Sequence, residues 1–360
     1  MRQRNLWAAT SSIPAKMHRR SGARSLISRQ TLMLGSPTGT KQRSASSCPV
    51  DQTRVRAATG PTSERADELM MQPSLKPQHK GTDIPLPAVP PGVCVIRDVS
   101  FGPHERQSYD VYLPENAPRP MPVVVFLHPG AWSRRDKRAV RTMFVLEHGF
   151  ALVSIGYRLA QHARFPAQIN DVNDGLRHLI AHADRYGIDC DRLVMAGTSA
   201  GAHLAALAVL ARENEPFRPV SHFAPRGVVA VYGAYDMARL LRDECKVDID
   251  QTSPESPLGL MFGESPAGRP DLLREISPRT FVAPEAPPFL IMHGHDDRVL
   301  PWTQSAEMAT ALMEQGVDVT LRVIPKVGHG AEAFRTPPVS DQIVAFIQNV
   351  TATPQLVSAR

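Results

Sequence analysis

A serine between glycines, a histidine between glycines and a pair of adjacent aspartates are the residues here whose types and order could break an acyl bond. Ser199 lies in Gly197-Thr198-Ser199-Ala200-Gly201, His329 in Lys326-Val327-Gly328-His329-Gly330, and Asp296 and Asp297 in His293-Gly294-His295-Asp296-Asp297. A hydroxyl is a weak nucleophile until a base takes its proton. Histidine can be that base, and a carboxylate can orient the ring and stabilise it once charged. Gly-x-Ser-x-Gly alone is a weak signal. Its setting makes it stronger: an apolar run, RLVMAG, leads into it and a small-residue run, SAGAHLAALAVL, leads out. That is a strand, a tight turn and a helix, the arrangement that exposes a serine at a helix N-terminus where developing negative charge is favoured. Taken singly, Ser199 could be a helix cap, His329 a loop histidine and Asp297 a helix-capping carboxylate ahead of Pro301. The chain order Ser, Asp, His favours their acting together, although spacing alone leaves Asp296 and Asp297 in competition.

Acyl transfer also places negative charge on the carbonyl oxygen, and backbone N–H groups must meet it. One such donor is worth about 3–4 kcal/mol. His128-Pro129-Gly130-Ala131-Trp132 follows an apolar strand upstream of the serine, where the second half of such a hole is needed. The donors expected are the N–H groups of Gly130, Ala131 and Ala200; Pro129 has none to offer.

These residues need a scaffold, and the hydrophobic pattern supplies one. Residues 93–101 and 108–113 read as strands separated by Gly102-Pro103. PVVVFLH (122–128) and residues 150–155 are continuous apolar runs, as strands buried on both faces require. Residues 166–186 have helical period, with Ile169, Val172, Leu176, Leu179 and Ile180 on one face. Strands follow at 191–196, 227–232, 288–293 and 319–324, with a helix at 199–211. Alternating strands and helices imply a mainly parallel sheet covered on both faces, with the site beyond the carboxyl ends of the strands. Residues 237–285, rich in Pro, Leu, Met and charges, read as an insertion covering the acyl pocket.

Charge separates body from leader. The chain of 360 residues carries a net +6, yet residues 1–50 hold nine Lys and Arg and no acid, the first being Asp51. The remainder has 32 basic and 35 acidic residues, so nucleic-acid binding is not expected. Residues 1–83 lack apolar period and are expected to be a disordered basic leader, followed by a catalytic domain at 84–352 and a tail at 353–360. The expected compartment is the cytoplasm, or the mitochondrion if the Arg- and Ser-rich start is a transit peptide. No apolar run is long enough for a membrane span. Cys48, Cys94, Cys190 and Cys245 are scattered without metal-ligand spacing and read as buried or incidental thiols, not a disulfide framework.

With those residues in view, the chain over about 90–350 resembles the esterase branch of the α/β hydrolases, which includes hormone-sensitive-lipase-like carboxylesterases, acetyl-xylan and feruloyl esterase-like proteins and kynurenine formamidases. HPGAW (128–132), GYRLA (156–160), FPAQINDV (165–172), YGIDCDRLVMAGTSAGAHLAA (186–206), VYGAYD (231–236), HGHDDRVLPWTQS (293–305) and GHG (328–330) carry the likeness. Those families usually have glycine where Pro129 stands. The resemblance implies an α/β-hydrolase fold with a small cap. It selects Asp297, four residues after the His of His-Gly, over Asp296. It also implies that His128 and Trp132 shape the oxyanion loop, that Tyr157-Arg158-Leu159 braces the sheet and that Asp236 supports the cap.

The function expected is hydrolysis of carboxylic esters, with small acetyl-like acyl groups favoured, by Ser199, His329 and Asp297 without metal or cofactor. The expected partner is a small-molecule ester; oligomeric state is not read from the sequence. An arylformamidase would share the whole constellation. A prolyl-oligopeptidase-like peptidase is disfavoured, since no propeller precedes the catalytic region. A ligand-binding scaffold on the same fold is the rival from outside enzymology.

Overall fold

The computed structural model describes residues 84–242 and 250–352. The leader at 1–83 and the tail at 353–360 lie outside the described residues. Eight strands form one sheet in the order β1-β2-β4-β3-β5-β6-β7-β8: β1 Val93–Ser100, β2 Ser108–Pro114, β3 Met121–Leu127, β4 Ala151–Ile155, β5 Ile188–Thr198, β6 Gly227–Val231, β7 Phe289–Gly294 and β8 Val319–Ile324. The β1–β2 and β2–β4 pairs are antiparallel. All pairs from β4 through β3 to β8 are parallel.

The continuous apolar runs are explained by burial on both faces. In β3, Val123, Val125 and Leu127 enter one core while Val124 and Phe126 enter the other. In β7, Phe289 and Ile291 alternate with Leu290 and Met292 in the same way. Two-residue periodicity thus feeds two cores, so no position of these strands can be polar without a partner.

Helices α1 (Ala167–Ala181), α2 (Ala183–Tyr186) and α3 (Ala200–Leu210) precede β6. Residues 166–186, expected as one helix, break at His182, whose backbone leaves helical geometry (φ −122°, ψ 11°). The His182 ring Nδ1 donates to the His178 carbonyl, 2.8 Å away. The α3 helix is buried along its whole length, as a helix apolar on every side must be. Among its described residues the expected cap region contains three short α-helices, α4 (Met237–Arg242), α5 (Pro257–Phe262) and α6 (Pro270–Glu275). The last two helices, α7 (Thr303–Glu314) and α8 (Val339–Thr351), divide between the cores: Met308, Ala309 and Leu312 join the α1–α3 side, and Val339, Ile343 and Ile347 the other. No helix among the described residues is long and apolar enough to cross a membrane.

One reading is corrected. Cys94, on β1, is disulfide-bonded; it is not an incidental thiol. Cys190 is free.

Strand order places the chemistry. β3 is flanked by β4 on one side and β5 on the other. The connections leaving β3 and β5 therefore diverge to opposite sides, opening a crevice at the carboxyl ends of these two strands. The loop from Gly130 leaves β3 and the turn at Ser199 leaves β5, so both candidate halves of the site stand at one switch point.

Candidate active site

Backbone geometry at Ser199 is unusual for a residue with a side chain: φ 54°, ψ −122°. A conformation of that kind costs of order 1–3 kcal/mol and persists only where its surroundings over-determine it. The glycines around it are the surroundings. A Cβ on Gly197 would stand 2.2 Å from the Gly201 carbonyl oxygen, and one on Gly201 would stand 2.0 Å from that of Leu127 and 2.8 Å from that of His128. The obstacles are backbone, which cannot yield. The first turn of α3 thus lies directly against the end of β3, where the other loop begins.

From that turn the Ser199 Oγ meets His329 Nε2 at 3.0 Å. His329 Nδ1 meets Asp297 Oδ2 at 2.7 Å. Asp297 Oδ1 accepts from the backbone N–H groups of Val299 (2.8 Å) and Leu300 (2.9 Å). Of the two adjacent aspartates, the structure brings Asp297 to His329 and turns Asp296 outward, where its exposed carboxylate pairs with His295. A Cβ on Gly294 would lie 2.2 Å from the Val327 carbonyl oxygen, so a bare glycine at the end of β7 is what lets the His329 loop close on Asp297. Burial pushes the Asp297 carboxyl up. Hydrogen bonds from His293 and His329, the charge on His329 and the Leu300 N–H outweigh it, and the group is held well below the usual carboxylate range.

The loop after β3 is bent throughout. Gly130, Ala131 and Trp132 all have positive φ (135°, 50° and 54°). A Cβ on Gly130 would stand 2.0 Å from the Arg134 carbonyl oxygen, so this glycine has no substitute, whereas Pro129 fits beside it. Ser133 and Arg134 close the turn by donating to the Gly130 carbonyl. That carbonyl is thereby occupied, and among the described residues the N–H groups of Gly130, Ala131 and Ala200 donate to no backbone acceptor.

His128 and Trp132 anchor the two ends of this loop. The His128 ring stacks on Tyr157, centroids 4.1 Å apart and nearly parallel, and its Nδ1 donates to the Pro129 carbonyl at 2.9 Å. The Tyr157 hydroxyl donates to the His128 carbonyl at 2.8 Å. Trp132 Nε1 donates to His203 Nδ1 at 3.1 Å, and His203 Nε2 donates to the Ile276 carbonyl at 2.7 Å. One buried imidazole on α3 thus ties the loop to the segment that follows α6. Burial lowers both His128 and His203 to about 4, so both rings are neutral hydrogen-bonding parts at ordinary pH. Arg158 pairs with Asp171, and Asp236 with Arg279 from the cap region.

Several contributors were not legible in the sequence. His203 is one. Tyr232, just after β6, packs its ring 4.7 Å from that of His329 and 4.8 Å from that of Phe334. His293 and Ser305 stand behind Asp297. HGHDD and VYGAYD marked their neighbourhoods, but only folding shows which side chain turns inward.

The BD-FAE family matches residues 109–312, more than half of the chain. Esterase LipC of Mycobacterium tuberculosis is 30% identical over 325 residues, covering 82% of this chain and 77% of that protein. Esterase LipQ of the same organism is also 30% identical, with 69% and 61% covered. Among solved structures, a truncated carbohydrate esterase from gut microbiota superposes with a TM-score of 0.65 at 24% identity, covering 72% of this chain and 97% of that one, which shows a shared fold. The chain belongs to the BD-FAE family, within the esterase branch of the α/β hydrolases.

Proposed function

We propose that the protein is a carboxylic ester hydrolase that works through Ser199, His329 and Asp297 and prefers short, acetyl-like acyl groups. The observation that carries this reading is the unbroken line from the Ser199 hydroxyl through the His329 ring to the Asp297 carboxylate, with links of 3.0 and 2.7 Å. Asp297, held charged, accepts a hydrogen bond from the Nδ1–H, which keeps the proton on Nδ1 and leaves the Nε2 lone pair facing the hydroxyl. Ser199 attacks the ester carbonyl as His329 Nε2 takes its proton. The oxyanion is met by N–H groups of Gly130, Ala131 and Ala200. His329 then returns the proton to the leaving alcohol, and water repeats the sequence on the acyl-enzyme. The nucleophile is 8% exposed, and the short acyl preference rests on the resemblance to acetyl-xylan esterase-like proteins.

The test is turnover by the purified protein of p-nitrophenyl acetate, p-nitrophenyl decanoate and N-formylkynurenine, with fluorophosphonate labelling of wild type and Ser199→Ala. Acetate turnover above the other two, with labelling lost in the variant, is the expected result. Faster turnover of N-formylkynurenine would replace the reading by amide hydrolysis. Undiminished labelling of Ser199→Ala would remove the nucleophile from it.

A further inference from the structure

We infer that His293, held in one tautomer by Ser305, is a positioning residue for Asp297 and through it for His329. The inference rests on the function proposed above. His293 is the penultimate residue of β7 and has no exposed surface. Its Nε2 lies 3.2 Å from Asp297 Oδ2 and 3.1 Å from the Leu300 carbonyl oxygen. A carbonyl can only accept, and so can a carboxylate held in its charged form. Nε2 therefore carries the proton and shares it between them. Its Nδ1 lies 2.7 Å from Ser305 Oγ. On a neutral ring that nitrogen has only a lone pair, so the Ser305 hydroxyl donates to it. The serine thereby selects the tautomer that faces Asp297.

Oδ2 of Asp297 then receives the His329 Nδ1–H at 2.7 Å and lies 3.2 Å from the His293 Nε2 whose proton it shares with the Leu300 carbonyl, while Oδ1 receives two backbone N–H groups. The His293 bond has two consequences. It fixes the carboxylate plane so that Oδ2 points at His329. It also draws off part of the negative charge on Oδ2 and so limits how strongly that oxygen holds a proton on His329. Without it, the carboxylate is freer to pivot and more basic, and protonated His329 is stabilised. Among the described residues, the other titratable groups near the pair are these. His329 faces Ser199 and the Tyr232 ring, and Lys326 lies on its loop. The Tyr232 hydroxyl is under the influence of Arg135, Arg141 and Asp297. The Tyr235 hydroxyl lies beside Ser305, and the His295–Asp296 pair is exposed.

The experiment compares His293→Leu, His293→Gln and Ser305→Ala with wild type: kcat and KM on p-nitrophenyl acetate from pH 5 to 9, circular dichroism, and the low-field 1H NMR signal of the proton between His329 and Asp297. His293→Leu keeps volume without a donor. It should lower kcat about 10- to 100-fold, the rate equivalent of a hydrogen bond to a charged group. KM should change little, the acid limb should move to higher pH, and the low-field signal should shift. His293→Gln restores an N–H and should recover part of both effects. Ser305→Ala should move the limb in the same direction by less. Folded variants whose pH profiles and low-field signals superimpose on wild type would overturn the inference, leaving the ring as packing. If His293→Leu does not fold, Ser305→Ala decides on the same two readouts. Failure of wild type to turn over any ester would count against the proposed function; the NMR comparison still decides the role of His293.

Discussion

The adjacent aspartates at 296 and 297 meet different fates because neighbouring side chains at a strand end diverge. Asp297 is buried with four N–H groups around it, and Asp296 faces water with His295. Asp297→Asn keeps the shape but removes the charge and the preference for the productive His329 tautomer. It should lower kcat/KM by up to about 10⁴-fold, a loss such an exchange can produce. Asp296→Asn should stay within a few-fold of wild type on the same activated ester. The reverse outcome would move the acid by one residue. The depressed Asp297 carboxyl also predicts behaviour in acid. A carboxylate whose folded value is lowered contributes stability that is complete above the ordinary carboxylate range and is lost progressively as pH falls from that range through the lowered value. Activity lost on acidification down to pH 5 should accordingly follow a single proton, taken up by a histidine, with no second carboxylate step. A steeper, two-proton limb with a chemistry-limited ester would contradict this.

At the scale of elements, the site depends on how closely α3 approaches β3. Gly201→Ala would drive a methyl carbon to 2.0 Å from the Leu127 carbonyl oxygen, so the helix must withdraw from the loop bearing Gly130. We expect a loss of at least about 3 kcal/mol in urea unfolding, at the upper end for overpacking, and loss of fluorophosphonate labelling even in molecules that remain folded. A stable, labelling-competent variant would show that the approach is not needed. Trp132→Phe tests the other end of the loop. It keeps an aromatic ring but removes the indole donor to His203, and should lower kcat more than stability, since Trp132 adjoins the proposed oxyanion donors.

For the molecule as a whole, two fully buried neutral histidines carry a large part of the acid response, with His162 and His178, lowered by partial burial, adding to it in the same direction. His128 and His203 have folded values of about 4 against about 6.5 when unfolded. Between those values the unfolded chain binds more protons than the folded one. Their stabilisation is therefore complete above about pH 6.5 and is lost progressively as pH falls towards 4, by up to about 3 kcal/mol for each ring. The unfolding free energy should drop from pH 7 to pH 4.5, with these two rings together contributing up to about two protons to the slope. His203→Leu, though less stable at every pH, should show a slope smaller by one. An unchanged slope would mean that His203 does not titrate on unfolding.

What the sequence by itself determined is local. The strand-turn-helix around Ser199, the strand ends bearing Asp297 and His329 and the apolar runs of the sheet are written in contiguous residues, because a turn forced by glycines and a strand buried on both faces leave their marks within a few positions. The likeness of HGHDD to known esterases even chose between two aspartates that spacing left open. The parts that only the tertiary structure decided are those whose partners lie far along the chain. Trp132 reaches His203 across 71 residues and His203 reaches Ile276 across 73. No periodicity records such a bond, and His203 inside an apolar helix reads as an ordinary buried residue. His293 was visible as the mark preceding the acid, but its contact with Asp297 depends on how the chain turns after β7. The break at His182 and the short helices of 237–285 were missed for a related reason: their ends are set by single hydrogen bonds and caps rather than by repeated apolar positions. The candidate site was legible where it is built from neighbours in sequence. The network that holds it in place is built from neighbours in space.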